Sequence, residues 1–314
     1  MITATGAATG AKRIHLVRPL AAALLTVAMF ALILRRVPFA SLATALHDAD
    51  YRLFLALMIP NTLFYFAWDT LVLTVVVRWF HGPVSYRNLL PVRAASYVVG
   101  FFNTNLGRGA LAAYLCRRLQ SPFLELGSTV IFLVLTEYTQ LVLWSMLGLI
   151  GLRAEVTRSL LAVAAIVAVF WIVVRLVLVP RTWSFVRTFR LATAGRYVEI
   201  VLLRAPMFFV SLCLHYYAAH AFGIRIPFSQ MLTFLPVVFM LAALPVTVAH
   251  LGTTQAAWIF FFSQYAPAPR LLAFSLAAHL VFASTRALLG VVWLPSAYFD
   301  LIPQQRGDTM SPCS

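Results

Sequence analysis

The chain has 314 residues, 62% hydrophobic and only 11% charged, and its 24 Lys+Arg against 9 Asp+Glu give a formal charge of +15. A soluble domain carries about 25% charged residues to cover its outside, so this composition excludes a water-soluble globular protein and defines a polytopic membrane protein. It also excludes nucleic acid as a partner, because the arginines stand singly between apolar runs and form no basic stripe with interleaved aromatics.

In chain order, residues 1–18 read as a basic cytoplasmic tail ahead of a first apolar run at 19–34. That run reads as a retained span and not a cleaved signal peptide, since Arg35 and Arg36 end it and the small-residue pattern Ala43-Thr-Ala45 lies well beyond. Further full spans are expected at 53–77, 126–150, 160–179, 199–222 and 271–294, with a cytoplasmic tail at 295–314. Two other apolar stretches are interrupted. Residues 89–118 are broken by Asn103, Asn105, Gly107 and Gly109, and residues 228–265 by Pro236, Pro245 and Gly252. Their second arms, about ten and about fourteen residues at roughly 1.5 Å per residue, are short for a ~30 Å hydrocarbon core. Both therefore read as re-entrant, and broken backbone at membrane depth survives only when buried in protein or lining a wet cavity. The expected fold class is an all-α polytopic membrane protein with six full transmembrane helices plus two re-entrant segments.

Charge sets the orientation. With the N-terminus inside, thirteen basic residues fall in cytoplasmic segments and seven outside, an excess that favours N-in and C-in. Residues 19–150 read span, span, broken segment, span, and residues 159–294 repeat that order. Three spans per half invert the second half relative to the first, so the broken segments are expected to enter from opposite sides. Asn105-Leu-Gly107-Arg-Gly-Ala-Leu-Ala-Ala-Tyr114 and His250-Leu-Gly252-Thr-Thr-Gln-Ala-Ala-Trp258 share Leu-Gly followed by Ala-Ala-aromatic. Paired broken helices in inverted repeats are the device by which transporters build a site that opens to either side.

Ionisable residues inside apolar segments are costly and mark candidate sites. Asp69, Glu137, Arg204 and Arg286 lie within spans, and Arg108 lies at the first break. Glu137 and Arg286 read either as a buried structural pair or as the lining of a polar cavity. Asp69 reads as locally paired and Arg204 as snorkelling to the interface. Helix N-termini expected at Gly107-Arg108-Gly109 and Gly252-Thr253-Thr254 would offer unpaired N–H groups to phosphate or carboxylate, and Arg108 a bidentate donor. The candidate ligand-binding residues are Gly107, Arg108, Glu137, Gly252, Thr253, Gln255 and Arg286, around an anionic lipid head group. The spacing of Cys, His and acidic residues implies no metal, no cofactor and no catalytic grouping.

At these residues the chain resembles the transmembrane, flippase-like domain of the lysylphosphatidylglycerol synthase family, over roughly residues 15–297. The resemblance rests on Asn103-Thr-Asn-Leu-Gly-Arg108, Glu137, the Leu244-Pro245…Leu251-Gly252…Gln255 segment and Arg286. Gly109-Ala110, Glu137-Tyr138 and Gln255 stand where the family commonly has Gly-Glu, Glu-Arg and Gly-x-x-Glu. The resemblance implies a stand-alone form in a bacterial cytoplasmic (inner) membrane, without the soluble aminoacyl-transferring domain, handling anionic phospholipid or glycolipid. The expected function is movement of such a lipid between leaflets, without catalysis. Two alternatives stay open: a membrane-embedded lipid-modifying enzyme with His250 as its base, or a scaffold for a separately encoded glycosyltransferase or lipid synthase.

Overall fold

The structure is a computed structural model describing residues 28, 31–35, 37–102, 104–149, 154–243 and 252–301, and among these the secondary structure is helical with no strand. The helices are α1 (Phe39–His47), α2 (Tyr51–Phe80), α3 (Tyr86–Phe102), α4 (Thr104–Leu119), α5 (Phe123–Leu147), α6 (Ala154–Val173), α7 (Arg187–Leu191), α8 (Ala194–His220), α9 (Phe228–Ala243), α10 (Thr253–Phe262) and α11 (Ala268–Leu301). Five segments are long and apolar enough to cross a membrane: Tyr51–Phe80, Phe123–Leu147, Thr157–Val177, Ala194–His220 and Ala268–Pro295. These match five of the six expected spans. The sixth, 19–34, and the tail 1–18 fall almost wholly outside the described residues. At the other end α11 continues through Pro295 to Leu301, so helix extends into the segment read as the tail 295–314.

Local chemistry explains where the helices begin and how they keep their polar groups satisfied. Asp50 caps α2 by accepting from the Leu53 N–H at 3.1 Å, and Thr193 caps α8 by accepting from Arg196. Within α2, the hydroxyls of Thr62, Thr70 and Thr74 donate to carbonyls one turn back, so none is stranded in an apolar surrounding. Burial and hydropathy run in opposite directions among the spans. Thr157–Val177 has a mean hydropathy of 2.8 and only 6% of its window is buried, whereas Tyr51–Phe80 has 1.4 and is 50% buried. In a bilayer the outer face meets hydrocarbon, so the most apolar helix is the peripheral one and the central helix can carry polar side chains.

Both interrupted stretches fold as helical hairpins, α3–α4 and α9–α10, with their arms packed on each other. The first break falls between Phe102 and Thr104, not at Gly107-Arg108-Gly109, which lies inside α4. The second arm is therefore 16 residues long. The reason is packing: a β-carbon on Gly107 would lie 2.8 Å from the Gly100 α-carbon and 2.8 Å from the Ser96 carbonyl oxygen. Gly107 lets the two arms touch backbone to backbone. Gly252 does mark the end of a break, since its φ of 92° suits glycine and it stands immediately before α10. Leu244, Pro245, His250 and Leu251 lie outside the described residues.

Contacts fix which end of the bundle each hairpin opens to. At one end the Asp50 N–H donates to Ala221 O at the close of α8, and a β-carbon on Gly148, after α5, would sit 2.7 Å from Thr233 N in α9. Phe222 packs on Phe274 near the start of α11 at the same end. At the other end His81 meets Thr129 of α5 at 2.6 Å, Thr129 meets Thr188 of α7 at 2.8 Å, and Arg187 pairs with Glu125 at 3.0 Å. The α3–α4 hairpin leaves and returns at the His81 end, and the α9–α10 hairpin at the Asp50 end.

Candidate functional site

Five helices each send an ionisable side chain toward the middle of the bundle. On α2, Asp69 accepts from Arg93 of α3, with Nη2 at 2.5 Å and Nε at 2.7 Å from the same carboxylate oxygen. On α5, Glu137 accepts from the Tyr65 hydroxyl of α2 at 3.3 Å and lies 3.3 Å from Nη1 of Arg204 on α8. On α11, Arg286 lies over the Tyr97 ring of α3, its guanidinium carbon 3.5 Å from the centroid, and within 4.9 Å of the Phe282 centroid. Tyr65 and Phe282 meet edge to face at 5.6 Å, which joins the Glu137 and Arg286 halves. Arg93 also approaches the Tyr97 ring, at 5.1 Å. The cluster is thus Tyr65, Asp69, Arg93, Tyr97, Glu137, Arg204 and Arg286.

The helix packing that gathers these residues has identifiable supports. Gly290 lets α11 cross α3 closely, since a β-carbon there would meet Ala94 O at 2.7 Å, and Arg286 sits one turn earlier on α11. Trp68 of α2 donates its indole N–H to Leu203 O of α8 at 2.7 Å, which holds the neighbouring Arg204 against the α2 side. Phe66 packs on Tyr97 at 5.8 Å beneath the Asp69–Arg93 pair.

Three arginines against two carboxylates leave this cluster one positive charge in excess. Both carboxylates are engaged, whereas Arg286 pairs with no carboxylate among the described residues and rests on aromatic faces. Arg204 is 2% exposed, and its Nε and Nη1 make no hydrogen bond although Nη1 is close to Glu137. The Tyr97 hydroxyl is likewise buried without a partner. Buried donors left over beside an excess positive charge are the complement of an anion.

The structure brings together two of the residues expected at the site, Glu137 and Arg286, on either side of Tyr65. They do not pair with each other, because Arg204 takes Glu137. Arg204 is buried and not snorkelling. Arg108 is half-buried on α4, and no contact joins it to the cluster among the described residues. Gly107 serves hairpin packing. Gly252 and Thr253 begin α10, and Gln255 is fully buried, its side-chain oxygen accepting from the Gly252 N–H at 2.7 Å. Sequence reading missed Arg93, which it counted among the thirteen cytoplasmic basic residues, and the tyrosines Tyr65 and Tyr97. The signal for Arg93 was present: it stands in the apolar stretch 89–118 as Arg108 does. Among the described residues no three His, Cys, Asp or Glu side chains gather as a metal site. No protein-family model matches the chain, and no curated protein matches it.

Proposed function

We propose that the protein binds an anionic lipid head group at this intramembrane arginine cluster and carries it between leaflets. The observation that carries the reading is Arg286: a cation deep in a span, held by two aromatic rings, with no carboxylate in ion-pair contact among the described residues. A purely structural charge in a bilayer is paired; an unpaired one marks a ligand or ion path. Aromatic faces stabilise a guanidinium without neutralising it, so its five N–H donors stay available to phosphate.

Two hairpins opening to opposite ends of the bundle support alternating access in the manner of inverted-repeat transporters, with residues 19–150 and 159–294 as the two halves. The excess of cytoplasmic arginines supports an N-in, C-in orientation, and the resemblance to the flippase-like domain supports a bacterial inner membrane. With Arg93 placed in the bundle, twelve basic residues remain on the cytoplasmic side against seven, so the orientation argument stands. Glu137 contacts both Tyr65 and Arg204 and so ties α2, α5 and α8 together at the level of the cluster.

The test is reconstitution in liposomes carrying leaflet-labelled lipid. Wild-type protein is expected to redistribute an anionic phospholipid or glycolipid, and Arg286→Gln to lose at least tenfold in rate while remaining monodisperse. Unchanged leaflet distribution for wild-type protein across such lipids overturns the proposal.

A further inference from the structure

Outward from the charged cluster, toward the Asp50 end, lie buried carboxamides that the protein leaves unsatisfied. Asn61 is 1% exposed, and among the described residues neither its Oδ1 nor its Nδ2 has a hydrogen-bond partner; the Nε2 groups of Gln140 and Gln255, 3% and 0% exposed, also have none there. Unpaired buried polar groups are rare and costly, and three amides in one region call for a ligand.

Their positions follow from contacts already described. The Tyr65–Glu137 bond sets the level of α2 against antiparallel α5. Asn61 lies one turn before Tyr65 on the same face of α2, and Gln140 lies three residues after Glu137 on the same face of α5. Both steps lead toward the Asp50 end. Trp258 and Phe54 each pack on Phe274, at 4.9 Å and 6.1 Å, and Gln255 is three residues deeper than Trp258 on α10. All three amides therefore fall between the Phe54–Phe274–Trp258 layer and the Tyr65–Phe282–Glu137 layer. Each of the helices α2, α5, α9, α10 and α11 contacts the next, and α11 contacts α2.

The chemistry of the two levels differs. A carboxamide offers both donor and acceptor, which suits a hydroxyl, itself both donor and acceptor, whereas guanidinium groups suit phosphate. One helical turn, about 5.4 Å, separates Asn61 from Tyr65 along α2. No spare carboxylate awaits an amine, since Asp69 and Glu137 are both paired. We infer that the Asn61, Gln140 and Gln255 amides form a subsite for the hydroxyls of a polyol or sugar head group whose phosphate occupies the arginine cluster. This inference rests on the proposed anion site and names the head-group class it takes.

The experiment titrates the full-length protein in detergent with dioctanoyl phosphatidylinositol and with dioctanoyl phosphatidate, by calorimetry. Wild-type protein is expected to bind the inositol lipid about tenfold more tightly, the contribution of one or two net hydrogen bonds. The Asn61→Leu/Gln140→Leu double variant is expected to keep its phosphatidate affinity and lose the preference. Equal affinities in wild-type protein overturn the polyol subsite alone, as does a preference retained by the double variant. Binding of neither lipid overturns the anion site as well. The wild-type comparison needs no variant, so a poorly folded double variant leaves the test intact.

Discussion

Charge placement at single residues separates what is structural here from what is available. Asp69 and Arg93 satisfy each other through two bonds to one oxygen. A buried pair of this kind is strongly destabilised by removing one partner, at a cost of about 3–5 kcal/mol, because the other charge is left alone in a medium of low dielectric. Arg286 has no such partner among the described residues and rests on the Tyr97 and Phe282 rings. At the His81 end a different residue gives a pH signature. Burial, reinforced by the charge of Arg187, pushes the His81 imidazole down to about 4, while its Nε2 meets Thr129. In the unfolded chain the imidazole returns to about 6.5. Between those values the unfolded state binds the extra proton, so stability falls as pH drops from about 6.5 toward 4 and is level above that window. Thermal unfolding in detergent at pH 7 and pH 5 is expected to show a larger loss for wild-type protein than for His81→Gln. Equal losses would remove His81 from the α2–α5–α7 junction as a titrating group.

At the scale of elements, glycines in one hairpin have separable roles. A β-carbon on Gly107 would strike the backbone of Gly100 and Ser96, whereas one on Gly109 meets nothing within 4 Å. Gly107→Ala is expected to lower the melting temperature, since forcing the arms apart costs about 1–3 kcal/mol. Gly109→Ala is expected to leave it unchanged or raise it, because alanine is the better helix former by up to about 1 kcal/mol. The reverse order would show that the two arms do not pack through Gly107. Sequence reading saw both glycines as helix breakers, which is their local tendency; tertiary contact decides that one is a packing surface. The five matched spans were legible because a run of apolar residues is a local property. The place of the first break was not, since Asn and Gly in the neighbourhood gave several equivalent candidates and only the docking of α3 against α4 and α11 shows that Gly107-Arg108-Gly109 lies inside a helix.

For the whole molecule, the decisive feature is that the two hairpins open to opposite ends. Ser85, ahead of α3, and Ser229, in the first turn of α9, are both exposed and belong to different hairpins. Cysteines introduced at these two positions are expected to react with a membrane-impermeant maleimide from opposite faces of a sealed vesicle. Labelling from the same face would remove the alternating-access argument while leaving the arginine cluster standing. The trend of hydropathy against burial belongs to this scale too. Thr157–Val177 is the most apolar and least buried of the spans, so hydrocarbon is its main partner; Tyr51–Phe80 is central and carries Asn61, Tyr65 and Asp69.

The sequence by itself determined that the chain is an all-α membrane protein, where five of its long helices lie, that two stretches are interrupted, and that a few charges sit where charges are expensive. Each of these follows from composition or from the apolar run length, quantities that need no knowledge of neighbours. Only the tertiary structure decided how the charges pair. Arg204 takes Glu137, Arg93 takes Asp69, and Arg286 is left with Tyr97 and Phe282. Pairing is a distance between side chains 24 residues apart for Asp69 and Arg93 and 67 apart for Glu137 and Arg204, and it is set by which helix faces meet. Five charged residues, separate in the sequence, join one cluster with an excess positive charge because α2, α3, α5, α8 and α11 bury the same level of the bundle.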